Sequence, residues 1–167
     1  MNRYTVAVLV RNQFGVLNRV TSMFRRRQFN ISSLTVSETE SPDYSRITVI
    51  FDGEETKKQQ LVNQLYKLPD VSCLRELTDD DSVSAELMLI KMANHAETRQ
   101  EMLVIAKTFG AMAVDYSPEA IMFQLAEDSR RLDEFINVMR DFTILEICRT
   151  GIVSLEKGGN TIREMLS

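Results

Sequence analysis

An α+β fold of two tandem ferredoxin-like βαββαβ domains is what the sequence predicts, on three observations. Strand-like and helix-like periods follow the order strand, helix, strand, strand, helix, strand, and that order occurs twice. A Ser-Pro turn divides the middle strands of each half, at Ser41-Pro42-Asp43 and again at Ser117-Pro118. Between the halves lies Thr78-Asp79-Asp80-Asp81-Ser82, polar and self-repelling, which reads as a linker.

Tyr4–Val10 opens the chain as a valine-rich strand, apolar at both parities: Tyr4, Val6 and Val8 on one side, Ala7 and Leu9 on the other. A sheet built on it needs a cover on its second face too, so association through sheets or helices is expected. Val16, Val20, Met23, Phe24 and Arg27 recur three or four apart and predict a helix. Ile31–Glu38 and Arg46–Phe51 read as strands. The next helix carries Leu61, Leu65 and Leu68 on one face and stops at Pro69. Val71–Leu77 closes the first half.

In the second half Glu86–Met92 is a strand, and Asn94 with Glu97 resembles a capping pair. Met102, Ile105 and Phe109 stripe a helix that Gly110 terminates. Ala111–Tyr116 and Ile121–Leu125 are strands. Leu132, Phe135, Ile136 and Met139 stripe the last helix, and Thr143–Val153 ends the sheet. Glu156–Ser167, with Gly158-Gly159, reads as a loose tail. The expected division is therefore 1–78, a linker at 79–83, 84–155, and a tail at 156–167.

Hydrophobic residues make up 44% of the 167 and charged residues 26%, the balance of an ordinary globular chain. A chain of this size buries roughly 70% of the surface that its unfolded form exposes. The net charge of -4 argues against nucleic acid as the main partner. No apolar run spans a bilayer, and Arg3 leads into a strand without a small-residue cleavage pattern, so neither membrane nor signal peptide is expected. Cys73 and Cys148, both in strand-like segments, read as small buried hydrophobes of a reduced, cytoplasmic compartment.

Catalytic chemistry is not legible. The single histidine, His95, reads as exposed beside a helix start, and nothing completes a zinc site or a Ser-His-Asp device. Neither G-x-G-x-x-G nor a phosphate loop is present. The run Arg25-Arg26-Arg27 raises RNA, since this fold also serves RNA-recognition modules. The third strand, Arg46-Ile47-Thr48-Val49-Ile50-Phe51, lacks their basic-Gly-aromatic pattern. The run therefore reads as solvating the first helix or meeting an acidic protein surface.

One loop carries the functional reading: Asn12-Gln13-Phe14-Gly15-Val16-Leu17, between the first strand and the first helix. A glycine bend into a helix start leaves backbone N–H groups unpartnered, and the helix dipole adds positive potential for a carboxylate. A glycine there also serves geometry alone, and the loop by itself leaves both readings open. Asn30, after the helix, tips the balance, because an asparagine offers donors and an acceptor to a zwitterion. Asn12 and Asn30, with Val16, Leu17 and Ile31 as an apolar wall, suit a small aliphatic amino acid.

At these residues the sequence resembles the ACT-domain family of amino-acid-sensing modules, and within it the small regulatory subunits of acetolactate synthase. The resemblance rests on Asn12–Leu17, Phe29-Asn30-Ile31-Ser32-Ser33-Leu34-Thr35-Val36 and Ser45-Arg46-Ile47-Thr48. Gln64–Leu68, Glu86–Lys91 and Arg149-Thr150-Gly151-Ile152-Val153 extend it over almost the whole chain. It implies an N-terminal ACT domain, a C-terminal ferredoxin-like domain, and a homodimer formed through both. It also implies that paired ACT domains bind valine or another branched-chain amino acid, with Asn12, Gln13, Phe14, Gly15, Val16 and Leu17 of one protomer facing Asn30 and Ile31 of the other. The second half lacks such a loop, and no effector site is expected there.

The implied role is activation and feedback inhibition of a separate catalytic (large) subunit in valine, leucine and isoleucine biosynthesis. Thiamine diphosphate, FAD and magnesium are expected on that partner, and no cofactor or metal on this chain. Three other readings make different expectations. A free-standing ACT sensor would activate no acetolactate-forming subunit, a small enzyme would turn over alone, and an RNA-binding module would show salt-dependent affinity for oligonucleotides.

Overall fold

The structure, a computed structural model, describes residues 2–163. The described residues form two compact units: residues 2–84 with 153–163, and residues 85–152. Each half of the sequence builds a four-stranded antiparallel sheet with two helices, so the fold is α+β and ferredoxin-like, twice over.

The first unit runs β1 (Asn2–Arg11), α1 (Val16–Arg26), β2 (Asn30–Glu38), β3 (Tyr44–Gly53), α2 (Glu55–Leu65) and β4 (Val71–Leu77), in the sheet order β2-β3-β1-β4. The helix-facing parity of β1, from Tyr4 through Val6 and Val8 to Val10, buries against Val20 and Phe24 of α1 and Leu61 and Leu65 of α2. Phe29 joins this core through edge-on contacts with Phe24 and Phe51, at centroid distances of 6.3 and 5.5 Å. α1 ends one residue before the sequence stripe does: its last residue is Arg26, and Arg27, read as part of the apolar face, is exposed at the C-cap.

The other parity of β1 gives the first unit its second core. Ala7 and Leu9 pack with Cys73, Leu77 and Ile162. The cover that the sequence demanded for this face thus comes in part from the residues expected to be a loose tail. That expectation is corrected for the described part, through Arg163. Arg163 Nη1 lies 2.9 Å from Glu40 Oε1, and its guanidinium stands over the Tyr44 ring. Lys157 Nζ donates to the carbonyls of Asp79 and Asp80, at 3.0 and 3.1 Å. The Thr78–Ser82 stretch, expected as a self-repelling linker, is a closed turn in which Asp81 Oδ1 accepts from Thr78 N at 2.7 Å.

The second half of the sequence repeats the plan with β5 (Ser82–Ala93), α3 (Arg99–Phe109), β6 (Met112–Tyr116), β7 (Ala120–Glu127), α4 (Ser129–Met139) and β8 (Ile144–Glu156), in the order β6-β7-β5-β8. Met88, Ile90 and Met92 of β5 bury against Met102, Leu132 and Phe135. Gly110 closes α3 in the left-handed region at φ 78, as its sequence position requires. The Asn94–Glu97 capping pair does not form, because Thr98 stands at the N-cap position. Asn94 is instead buried, donating to the Ser117 carbonyl and accepting from Arg99 Nε, each at 2.6 Å. Cys73 is buried as expected, whereas Cys148 is exposed on β8. Among the described residues no helix is long and apolar enough to cross a membrane.

Candidate functional site

The loop between β1 and α1 turns on Gly15, which occupies the N-cap position of α1 at φ 81 and ψ -6. This left-handed geometry is one that side-chain-bearing residues rarely adopt. Three loop amides are already used. Asn12 N donates to the Asp43 carbonyl at 2.8 Å, Gln13 N to Arg11 O at 2.9 Å, and Val16 N to Gln13 O at 3.4 Å. The amides of Phe14, Gly15, Leu17 and Asn18 meet no backbone acceptor among the described residues. These four donors, at the positive end of α1, are what a carboxylate would find.

Sequence reasoning missed the cation beside them. Arg19, one helical turn beyond Gly15, brings its Nη1 to 3.4 Å from where a Cβ on residue 15 would lie. Its Nε pairs with Asp70 Oδ2 at 2.6 Å, which anchors the guanidinium next to the bend. The signal was present as an i, i+4 spacing from the glycine.

Asn12 holds a different place from the one its side chain suggested. Its Nδ2 donates to Glu38 Oε1 at 3.3 Å and to the Pro42 carbonyl at 3.1 Å, so both amide hydrogens are engaged within the chain. Its Oδ1 remains to accept. This ties the loop to the β2–β3 hairpin, whose residues Thr39 and Glu40 are gripped by Arg163. Among the apolar candidates, Phe14 is fully exposed and Leu17 is exposed. Val16, expected in the apolar wall, instead lies in the core at 3% exposure. Ile31 is partly buried and packs on the same core.

Asn30 and the loop stand at opposite ends of the sheet. Asn30 pairs with Asp52, which pairs with Arg3 near the start of β1, while Asn12 follows the end of β1. From Arg3 to Asn12 the strand advances nine residues, about 30 Å at roughly 3.3 Å each. No single chain can therefore place its own loop and its own Asn30 on one small molecule. The Asn30 side chain is exposed and has no partner among the described residues.

Comparison with known proteins follows this division of the chain. Residues 6–73 match the sequence family described as AHAS small subunit-like ACT domain, and residues 85–158 that described as small subunit of acetolactate synthase. A probable acetolactate synthase small subunit of Archaeoglobus fulgidus is 40% identical over 156 residues, covering 93% of this chain and 98% of that one. The acetolactate synthase small subunit of Haemophilus influenzae is 34% identical, covering 96% and 99%. The crystal structure of the acetolactate synthase small subunit from Thermotoga maritima superposes with a TM-score of 0.89 at 31% identity, covering 96% of this chain and all of that one.

Proposed function

The chain belongs to the family of acetolactate synthase small subunits, and from that membership we propose that it is a regulatory subunit without a catalytic centre of its own. It activates a separate catalytic subunit and transmits feedback inhibition by a branched-chain amino acid, valine in the first place. Thiamine diphosphate, FAD and magnesium belong to the catalytic partner, and the chemistry they supply is the partner's. The assembly works in the cytoplasm.

The observation that carries the effector site is the opposition of Asn12 and Asn30 along β2. Asn12 is bonded to Glu38, the last residue of that strand, and Asn30 is the first. β2 is an edge strand. When two copies pair their β2 edges antiparallel about a two-fold axis, the Asn30 end of one strand meets the Glu38 end of the other. Each Gly15 loop then faces the partner's Asn30, and two equivalent sites form. The loop amides and Arg19 take the effector's carboxylate, while the carbonyl oxygens of Asn30 and Asn12 take its ammonium. Leu17 and Phe14 supply apolar contact.

A ligand held across the two-fold stabilises one dimer arrangement over others, and only that differential affinity reaches the catalytic subunit. A methylene in an apolar pocket changes affinity by only about 1–3 kcal/mol, so valine, leucine and isoleucine all bind at this site. The test is reconstitution: catalytic subunit alone, with this chain, and with this chain plus valine. Stimulation that valine reverses is expected. A catalytic subunit indifferent to the chain would end this reading.

A further inference from the structure

The end of α1 and the first turn of α2 bring Arg26, Arg27 and Lys57 around one cavity, with Arg25 preceding them on the last turn of α1. Arg25, Arg26 and Arg27 are exposed at the end of α1, and Lys57 is exposed on α2. No side chain of the four makes an ion pair or hydrogen bond among the described residues. Glu55, the acid beside Lys57, is held by Lys58 at 2.5 Å. Arg26, Arg27, Gln28, Phe29 and Lys57 line a shallow cavity of about 280 Å³.

Folding does not account for this cluster. Arg25 and Arg26 suit the negative end of the α1 dipole, but Lys57 lies in the first turn of α2, where a cation is disfavoured. These like charges, on a chain of net charge -4, repel one another, and no acid is ion-paired to any of them among the described residues. The turn that presents them is nonetheless fixed. Gln28 holds a left-handed φ of 55, and Phe29 N donates to the Phe24 carbonyl at 3.1 Å.

The arrangement selects among anions. Three consecutive arginines on a helical turn splay over a wide arc, which suits an extended surface and not a small ion that needs convergent donors. A nucleic-acid strand would want a longer basic track and free aromatic faces, whereas Phe29, the aromatic lining this cavity, is packed against Phe24 and Phe51. An acidic protein face fits both the spread and the size. Arg27 lies three residues before Asn30, so the patch borders the proposed effector site.

We infer that the cationic end of α1 with Lys57 is the surface on which an acidic face of the catalytic subunit docks. This rests on the reading of the chain as a regulatory subunit. The test titrates full-length chain into the acetolactate synthase catalytic subunit of the same organism and reads the concentration giving half-maximal stimulation. Three proteins are compared: wild type, the charge reversal Arg26→Glu/Arg27→Glu/Lys57→Glu, and Arg130→Glu, an exposed arginine of α4, as control. All are first checked for an unchanged thermal transition. The triple reversal should raise the half-saturating concentration at least about 10-fold at low salt, with the gap narrowing as salt screens the contact, while the control matches wild type. Wild-type stimulation with an unaffected triple variant overturns the docking surface alone. Absence of wild-type stimulation overturns the regulatory reading and the docking surface with it. Patch-dependent, salt-sensitive binding of a mixed-sequence RNA oligonucleotide, with stimulation unaffected, overturns it in favour of nucleic acid.

Discussion

Arg149 grips Glu86 with a two-pronged fork, Nε 2.9 Å from Oε1 and Nη2 2.7 Å from Oε2, and so clamps β8 to β5. Ser129 Oγ donates to Oε2 at 2.8 Å, and Arg149 Nη1 reaches Asp133 at 2.6 Å, which brings both ends of the first turns of α4 into the same cluster. Glu86 is 6% exposed, so removing its counterion strands a buried carboxylate. Arg149→Ala should destabilise the second unit by about 3 kcal/mol, the lower end for a buried pair because Arg149 keeps some solvent contact. Denaturant unfolding followed by a probe in that unit reads the change. A loss below about 1 kcal/mol would show the fork to be ornamental.

The same cluster makes the second unit acid-sensitive. Burial pushes the Glu86 carboxyl up, but the Arg149 and Ser129 hydrogen bonds and the Arg149 charge outweigh it and hold the group below its ordinary value. A depressed carboxylate contributes its stability above the unfolded-state pKa, about 4.3, and loses it as pH falls through the lower folded value. The stability gap between wild type and Glu86→Gln should therefore be constant from pH 7 to about 5 and shrink below that. A gap that widens on acidification would reverse the assigned direction.

Ile162 seals Ala7, Leu9, Cys73 and Leu77 from water, and burial raises the Cys73 thiol above its ordinary pKa. Two thiols should then label at very different rates with a maleimide, exposed Cys148 quickly and Cys73 slowly. Ile162→Asp should bring Cys73 into reach without altering the Cys148 rate. Mass spectrometry of labelled peptides distinguishes the two. An unchanged Cys73 rate would mean that the end of the described chain does not guard this face.

This last contact shows where sequence reading stops. Strands and helices followed from period alone, because each half-buried element advertises its inner face: β4 was readable as Val71–Leu77 to the residue, and Gly110 as a helix end. The need for a cover over Ala7 and Leu9 was equally legible. Its identity was not, since Ile162 is isolated between polar residues and its partners, Ala7, Leu9, Cys73 and Leu77, all lie far upstream in the chain. Lys58, buried with Glu55 and Glu76 around it and the Tyr4 ring beneath, hid for the same reason: its partners come from three separate elements. At the candidate site the Gly15 bend was visible as a motif. That the donors of Asn12 are spent on Glu38 and Pro42 depends on hairpin geometry that no local pattern encodes.

Gly15 separates strain from charge in the proposed effector site. Any side chain there adopts φ near 81 at a cost of about 1–2 kcal/mol, and its Cβ meets Arg19 Nη1 at 3.4 Å, a contact that a flexible guanidinium absorbs. Gly15→Ala should bind valine with modestly reduced affinity. Gly15→Asp, whose carboxylate takes the place of the ligand's and neutralises Arg19, should show no binding by calorimetry. Equal affinities for the two variants would remove the carboxylate from this bend.

The last prediction tests whether the site is shared between two chains. Asn30→Ala removes a hydrogen bond to a charged group, about 1.5–3 kcal/mol, which is roughly a 10- to 150-fold loss in affinity. Each protomer of a two-fold dimer gives its loop to one site and its Asn30 to the other. A heterodimer of Gly15→Asp and Asn30→Ala chains therefore holds one site with both defects and one with none. Random re-pairing of an equimolar mixture makes half the dimers mixed, so high-affinity binding should return at about a quarter of wild-type stoichiometry. Sites built within single chains would give no such recovery, because every chain in the mixture carries a defect. The roughly 30 Å that separates Asn30 from its own loop along β1 is the physical reason to expect recovery, and its absence after verified subunit exchange would refute the paired-edge site.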